Sequence, residues 1–173
     1  MPTFVSKITA SDLRKLQRDI DNYKNSLTYK CQIFVQRLAE IGVEIARIQI
    51  MELDAVFNSE LLQSIHSENG GAVKNGAVYF VVADSEHAIF VEIGTGIIGA
   101  QHPYPGNLPE YTKYAQGKTI HHTKNGKYGW FYQDANGDWY FTEGMPSRPF
   151  MYNTTLELLA RVPVVAKEIF GSG

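Results

Sequence analysis

The sequence has a single cysteine, Cys31, among 173 residues, which excludes an internal disulfide and a cysteine-built zinc site. Neither sign of charge is in excess. Sixteen Lys+Arg stand against 18 Asp+Glu, a formal charge of −2, so the basic footprint of a dedicated nucleic-acid binder is missing. No run of 18 apolar residues occurs, and Met1-Pro2-Thr3-Phe4 is not a basic start followed by an apolar stretch. Neither a membrane span nor a secretory leader is expected. Internal repeats, charge blocks and low-complexity tracts are also absent. Aromatics are abundant instead: ten Tyr, nine Phe and two Trp, 12% of the chain, many between residues 104 and 152. The length suits one domain over residues 1–173, since a chain of about 150 residues buries close to 70% of its unfolded surface.

The N-terminal third reads as helix. Leu13, Leu16 and Ile20 follow Ser11 at helical spacing, and Asp12 suits the positive end of the helix dipole. The pattern thins at Asp21-Asn22-Tyr23-Lys24-Asn25-Ser26, which predicts a break or polar turn. A stronger stripe follows at Phe34, Leu38, Ile41, Ile45 and Ile48, with Gly42 inside it costing about 1 kcal/mol relative to Ala. Leu61 to His66 fits a strand or a short helical turn. Asn69-Gly70-Gly71 and Lys74-Asn75-Gly76 read as turns, and Ala77 to Ala83 as a buried strand. Ala88-Ile89-Phe90-Val91-Glu92-Ile93 is too short to show a period.

Residues 97–126 are rich in Pro and Gly and read as a long loop or arm. Such loops are functional or mobile more often than not. Two aromatic strands follow, Lys127–Tyr132 and Asp138–Thr142, joined through Asn136-Gly137, a strong hairpin signal. Gly144-Met145-Pro146-Ser147-Arg148-Pro149 leads into a last helix on which Phe150, Met151, Leu156, Leu159, Val162, Val165 and Ile169 form one face, with Pro163 as an expected kink. Helices at both ends of a strand-rich middle predict an α+β fold: an antiparallel sheet packed against N- and C-terminal helices, with residues 97–143 inserted as arm and hairpin.

Each candidate for chemistry has a plainer reading beside it. His102, His121 and His122 invite a metal site, and with Glu92 a metal-dependent hydrolase. Zinc, however, needs three or four converging ligands, and adjacent residues of an extended segment point to opposite sides. Asp134-Ala135-Asn136-Gly137-Asp138 imitates the start of a calcium loop, but the twelfth position, where a bidentate Glu belongs, is Met145. Neither a metal nor a cofactor is expected. Trp130, Tyr132, Trp139 and Tyr140 suggest a carbohydrate- or cell-wall-binding hairpin. Such hairpins come as repeats and only one is present, so cross-strand stabilising pairs are the simpler account. No nucleophile elbow or phosphate loop occurs. Glu92, in an apolar run, reads as a catalytic carboxylate, a strand-end acid capping backbone amides, or the partner of Arg148. The structural options are favoured, since buried acids are normally paired.

Two segments carry a resemblance: Val91-Glu92-Ile93-Gly94-Thr95-Gly96, followed by His102-Pro103, and Gly144-Met145-Pro146-Ser147-Arg148-Pro149-Phe150-Met151. In this order, with an aromatic insert between them, the chain resembles the small neck and tail-completion proteins of long-tailed bacteriophages, also called head–tail joining or minor tail proteins. Residues 97–126 and the helix at 11–26 lie outside that likeness. The resemblance implies a structural virion component without enzymatic activity, assembled in the bacterial host cytoplasm into an oligomeric ring at the head–tail junction or tail end. Its partners would be further copies of itself and neighbouring phage proteins, with no membrane. DNA would pass a ring lumen with passive contact, which fits the flat charge. Glu92, Gly94, Thr95, Gly96, Arg148 and Phe150 then become structural candidates, and Trp130, Tyr132, Trp139 and Tyr140 interface candidates. A Glu92–Arg148 pair is expected to lock the two segments together.

Overall fold

The computed structural model describes residues 3–4, 9–55, 59–73, 76–108, 122–134 and 136–171. The fold is mixed α+β. Helix α1 spans Ala10–Glu52 without interruption. Its first turn is capped by Thr9, whose hydroxyl accepts from the Asp12 N–H at 3.2 Å, the preferred role for such a residue. The break expected at 21–26 does not occur. That stretch has neither Gly nor Pro to interrupt the ladder, and polar residues cost little where the helix is exposed on every side. Only the later part of α1 is packed, with Ala39, Gly42, Ile45, Ala46 and Ile50 buried. Gly42 has a steric reason to be there. A Cβ on it would stand 2.8 Å from Val81 Cγ2 and 3.4 Å from Leu158 Cδ2, so the glycine lets strand and helix approach α1 together.

Short helix α2 (Ser59–Ser64) precedes the antiparallel pair β1 (Ile65–Val73) and β2 (Gly76–Ala83), registered from Ile65↔Ala83 to Val73↔Gly76. Asn69-Gly70-Gly71 is not a turn. It lies within β1 as an irregularity between Asn69 and Gly71, with the Gly71 N–H donating to Asn69 Oδ1 at 2.8 Å. The same residue chemistry serves a bulge as readily as a turn. Of the second expected turn, Lys74 and Asn75 lie outside the described residues. Strand β2 is half-buried rather than buried, with Phe80 exposed, because it has α1 on one side only.

Ala88–Ile93 forms helix α3, and Gly96–Gln101 forms α4, so the first part of the supposed arm is helical. Residues 109–121 of that arm, with His121, lie outside the described residues. Strands β3 (His122–Lys124), β4 (Lys127–Gln133) and β5 (Trp139–Thr142) form a second antiparallel sheet in that order. A two-residue strand β6 (Gly144–Met145) leads to helix α5, Phe150–Phe170. Helix α5 continues through Pro163, which is exposed. It runs antiparallel to α1, with Phe170 against Phe34 at one end (ring centroids 5.6 Å apart) and Asn153 Nδ2 donating to Gln49 Oε1 at the other. The core gathers Ala46, Ile50, Ala55, Leu61, Ile65, Ala88, Val91 and Phe150. Phe150, Ile50 and Ile65 are its largest fully enclosed side chains. Among the described residues, no helix is long and apolar enough to cross a membrane.

Candidate functional site

Helix α5 begins without a cap of its own. Its N-cap position is Pro149, which has no side-chain acceptor, and its first turn holds no acid. Backbone N–H groups at the second and third helical positions would be left without partners, a cost of about 1–3 kcal/mol each when buried. The missing acceptor comes from α3. The Met151 N–H donates to Glu92 Oε2 and the Tyr152 N–H to Glu92 Oε1, both at 2.9 Å. Glu92 is therefore a helix cap supplied from about 60 residues upstream, only 8% exposed, and its negative charge faces the positive end of the α5 dipole. Burial pushes its carboxyl above the usual range, and the backbone N–H groups of Met151, Tyr152 and Phe150 pull the other way. Tyr104 stands beside it, its ring edge-on to Tyr152 at 5.7 Å. Burial, then the Glu92 charge and Tyr152, hold the Tyr104 hydroxyl above its ordinary range.

The expected Glu92–Arg148 ion pair is not formed. Both oxygens of Glu92 are turned to the start of α5, and Arg148 Nε donates instead to the Leu53 carbonyl at 3.1 Å, just past the end of α1. The two segments are nevertheless locked together by main-chain and hydroxyl contacts. The Arg148 N–H donates to the Val91 carbonyl at 2.9 Å, and Ser147 Oγ to the Glu92 carbonyl at 2.6 Å. Thr95 pairs with Met145 and Gly96 with Gly144 as antiparallel bridges, and Thr95 Oγ1 accepts from the Met145 N–H at 3.1 Å. The Glu143 carbonyl accepts from the Ile97 and Ile98 N–H groups at 3.0 and 3.3 Å, serving the start of α4. Gly144 sits at the crossing with φ of 102°, and a Cβ there would stand 2.0 Å from the Thr95 carbonyl oxygen. Gly94, at the end of α3, is likewise pressed against the 145–147 backbone.

Thus the structure brings together Glu92, Gly94, Thr95, Gly96, Arg148 and Phe150, and every one of them is used inside the fold. Ser147, Glu143 and Tyr104 belong to the same junction and were missed from sequence. The available signal was a helix opening on proline with no acid in its first turn, which calls for a cap from elsewhere.

The aromatic hairpin is arranged differently. Tyr132 lies opposite Tyr140 and Phe131 opposite Phe141, with ring centroids 5.8 and 5.3 Å apart. Strand alternation puts Trp130, Tyr132 and Tyr140 on one face, and Trp139 on the other with Phe131 and Phe141. The four sequence candidates therefore do not form one platform. Trp130 is half-buried and leans towards Gly96, with Cζ3 2.8 Å from where a Cβ would be. Tyr128, Phe131, Tyr132, Tyr140 and above all Trp139, at 67%, are exposed. The hairpin's base is tied to the junction by Lys127 Nζ and Glu143 Oε2 at 2.8 Å.

Asp134, the first acid of the calcium-like string, spends its side chain in the turn, where Oδ1 accepts from the Asn136 and Asp138 N–H groups at 2.9 Å each. His102 is exposed, with Nδ1 3.3 Å from the Ile98 carbonyl, and His122 lies in β3, paired with Gly129. Among the described residues, no three His, Cys, Asp or Glu side chains converge to hold a metal ion. Compared with protein-family models, curated proteins and solved structures, the chain matches none.

Proposed function

We propose that the protein is a structural virion component of a long-tailed phage, assembling as an oligomeric ring at the head–tail junction or the tail end. The supporting observation is the meeting of the two resembling segments. Residues 91–96 and 144–151 are joined by the Glu92 cap and the Thr95–Met145 bridge, so the motifs form one structural unit. A junction whose polar groups are consumed internally suits a scaffold, whereas an enzyme needs a nucleophile or base free to act. Exposed aromatics on both faces of the hairpin supply contact surface of the kind enriched at the centres of interfaces. A head-to-tail contact between such surfaces closes into a ring when its rotation permits.

The test is mass spectrometry of purified virions from a host carrying this gene among portal, capsid and tail genes. A fixed copy number per particle is expected. Absence from the particles would end the proposal. A carbohydrate- or wall-binding hairpin is favoured by one observation, the exposure of Trp139. Retention of the protein on a cell-wall preparation, lost in Trp139→Ala, would move the assignment there.

A further inference from the structure

The first half of α1 stands clear of the body. Packing begins near Cys31, whose Cβ lies 3.9 Å from the Cβ position of Gly76 in β2. Ala10 to Lys30 thus projects as a helical arm of about 30 Å at 1.5 Å per residue. Leu13, Leu16, Ile20, Tyr23 and Leu27 are spaced three and four apart along it, with Tyr29, 64% exposed, off that stripe. This is a two-in-seven stripe, narrower than the face a helix presents to a globular core, and it is the spacing of a coiled-coil seam. Leu13, Ile20 and Leu27 are 50%, 45% and 41% exposed, while outward positions carry Arg14, Lys15, Arg18, Asp21, Asn22 and Asn25. Phe4 and Tyr23 make a T-shaped ring contact, centroids 5.8 Å apart, that leaves Tyr23 39% exposed.

We infer that this arm pairs with the same arm of a second copy as a parallel two-stranded coiled coil, with Leu13, Ile20 and Leu27 at the a positions and Leu16 and Tyr23 at d. Charge selects the occupant and its direction. In a parallel pair, each g residue faces the e residue of the next heptad on its partner. Here g is Asp19 and the following e is Lys24, so two copies make the complementary pair twice, and no like charges meet. An antiparallel pair sets g against g and e against e, and both ion pairs are lost. Among the described residues, neither Asp19 nor Lys24 has an ion-pair partner within the chain. The body anchors the later turns of α1, so the costly nucleation of the helix is already met before the arms associate.

The pairing uses a face that the proposed virion role does not, so either can fail alone. The full chain is examined by sedimentation equilibrium across a wide concentration range. A monomer–dimer equilibrium is expected, the dimer having twice the 19.4 kDa of one chain. Ile20→Asp should weaken it about a hundredfold, one buried aliphatic side chain being lost from each copy, while the unfolding midpoint of the body is unchanged. Asp19→Lys should weaken it about fivefold, and Lys24→Asp added to the same chain should restore it. Nitroxides on Ser11→Cys in a Cys31→Ser background should lie within about 25 Å of each other if parallel, against more than about 35 Å if antiparallel. A monomer at every concentration, association indifferent to Ile20→Asp, an arm-dependent trimer or larger species, or the long nitroxide distance would overturn the inference.

Discussion

The junction at residues 91–96 and 144–151 adjoins the aromatic hairpin along the chain, yet the two use their residues in opposite ways. In the junction, polar atoms find partners inside the molecule: the Glu92 oxygens on α5, Ser147 Oγ on the Glu92 carbonyl, Arg148 Nε on Leu53. In the hairpin, large apolar rings are left facing outward on both sides. A buried polar group without its partner costs more than the bond it makes contributes, so the junction resists change. An exposed ring costs the free subunit little to replace. Internal polar bonding and exposed aromatic surface are thus assigned to neighbouring but separate stretches of chain.

The largest way to break this contrast is Gly144→Val. A left-handed backbone and a Cβ 2.0 Å from the Thr95 oxygen together should cost about 4 kcal/mol in denaturant unfolding. Glu92→Gln is gentler. One cap oxygen becomes an NH2 facing another N–H, and a loss of about 2 kcal/mol is expected by the same measurement.

The pH dependence of Glu92 sharpens the comparison further. Its carboxyl titrates above the ordinary 4.5 because it is buried, so the folded state binds the proton more tightly than the unfolded one. The resulting contribution is fully present below pH 4.5 and lost as pH rises through the raised value. The stability of the natural chain should therefore fall from the acid side of that window to neutral pH relative to Glu92→Ala, which has no carboxyl to titrate, as followed by thermal unfolding. A constant difference would place Glu92 outside the buried cap. Smallest of all in stability is Trp139→Ala, expected to change unfolding free energy by no more than about 0.5 kcal/mol; under the proposed function, its incorporation into virions should fall.

Much of the fold was legible because period and punctuation carried it. The helix through Phe34 to Ile45, the Asn136-Gly137 hairpin and the helix from Phe150 follow local rules. Yet Ile48, Leu156 and Leu159, expected on the packed faces, are exposed, because α1 packs through Ala39, Gly42, Ala46 and Ile50. Continuity of α1 through 21–26 was not legible, since polar residues alone fix no state in an exposed helix. Helix α4 hid inside a Pro- and Gly-rich stretch because its start is served by the Glu143 carbonyl, more than 40 residues away in the chain. Glu92 was singled out for the right property, an acid in an apolar run, but its partner was assigned by charge. The two N–H groups at the start of α5 are nearer and better aimed than the Arg148 guanidinium, and backbone donors leave no trace in residue identity. The division of the hairpin's aromatics between two faces depended on register, which only the paired strands reveal.

Amide hydrogen exchange on the free full-length chain tests the central contrast most directly. The Met151, Tyr152 and Arg148 amides should exchange only through global unfolding, with the same opening free energy as the core around Phe150. The Phe131, Tyr132 and Tyr140 amides should open locally at much lower free energy. Junction amides exchanging as fast as those of the hairpin would contradict the account, because the Glu92 cap would then not be what closes the fold.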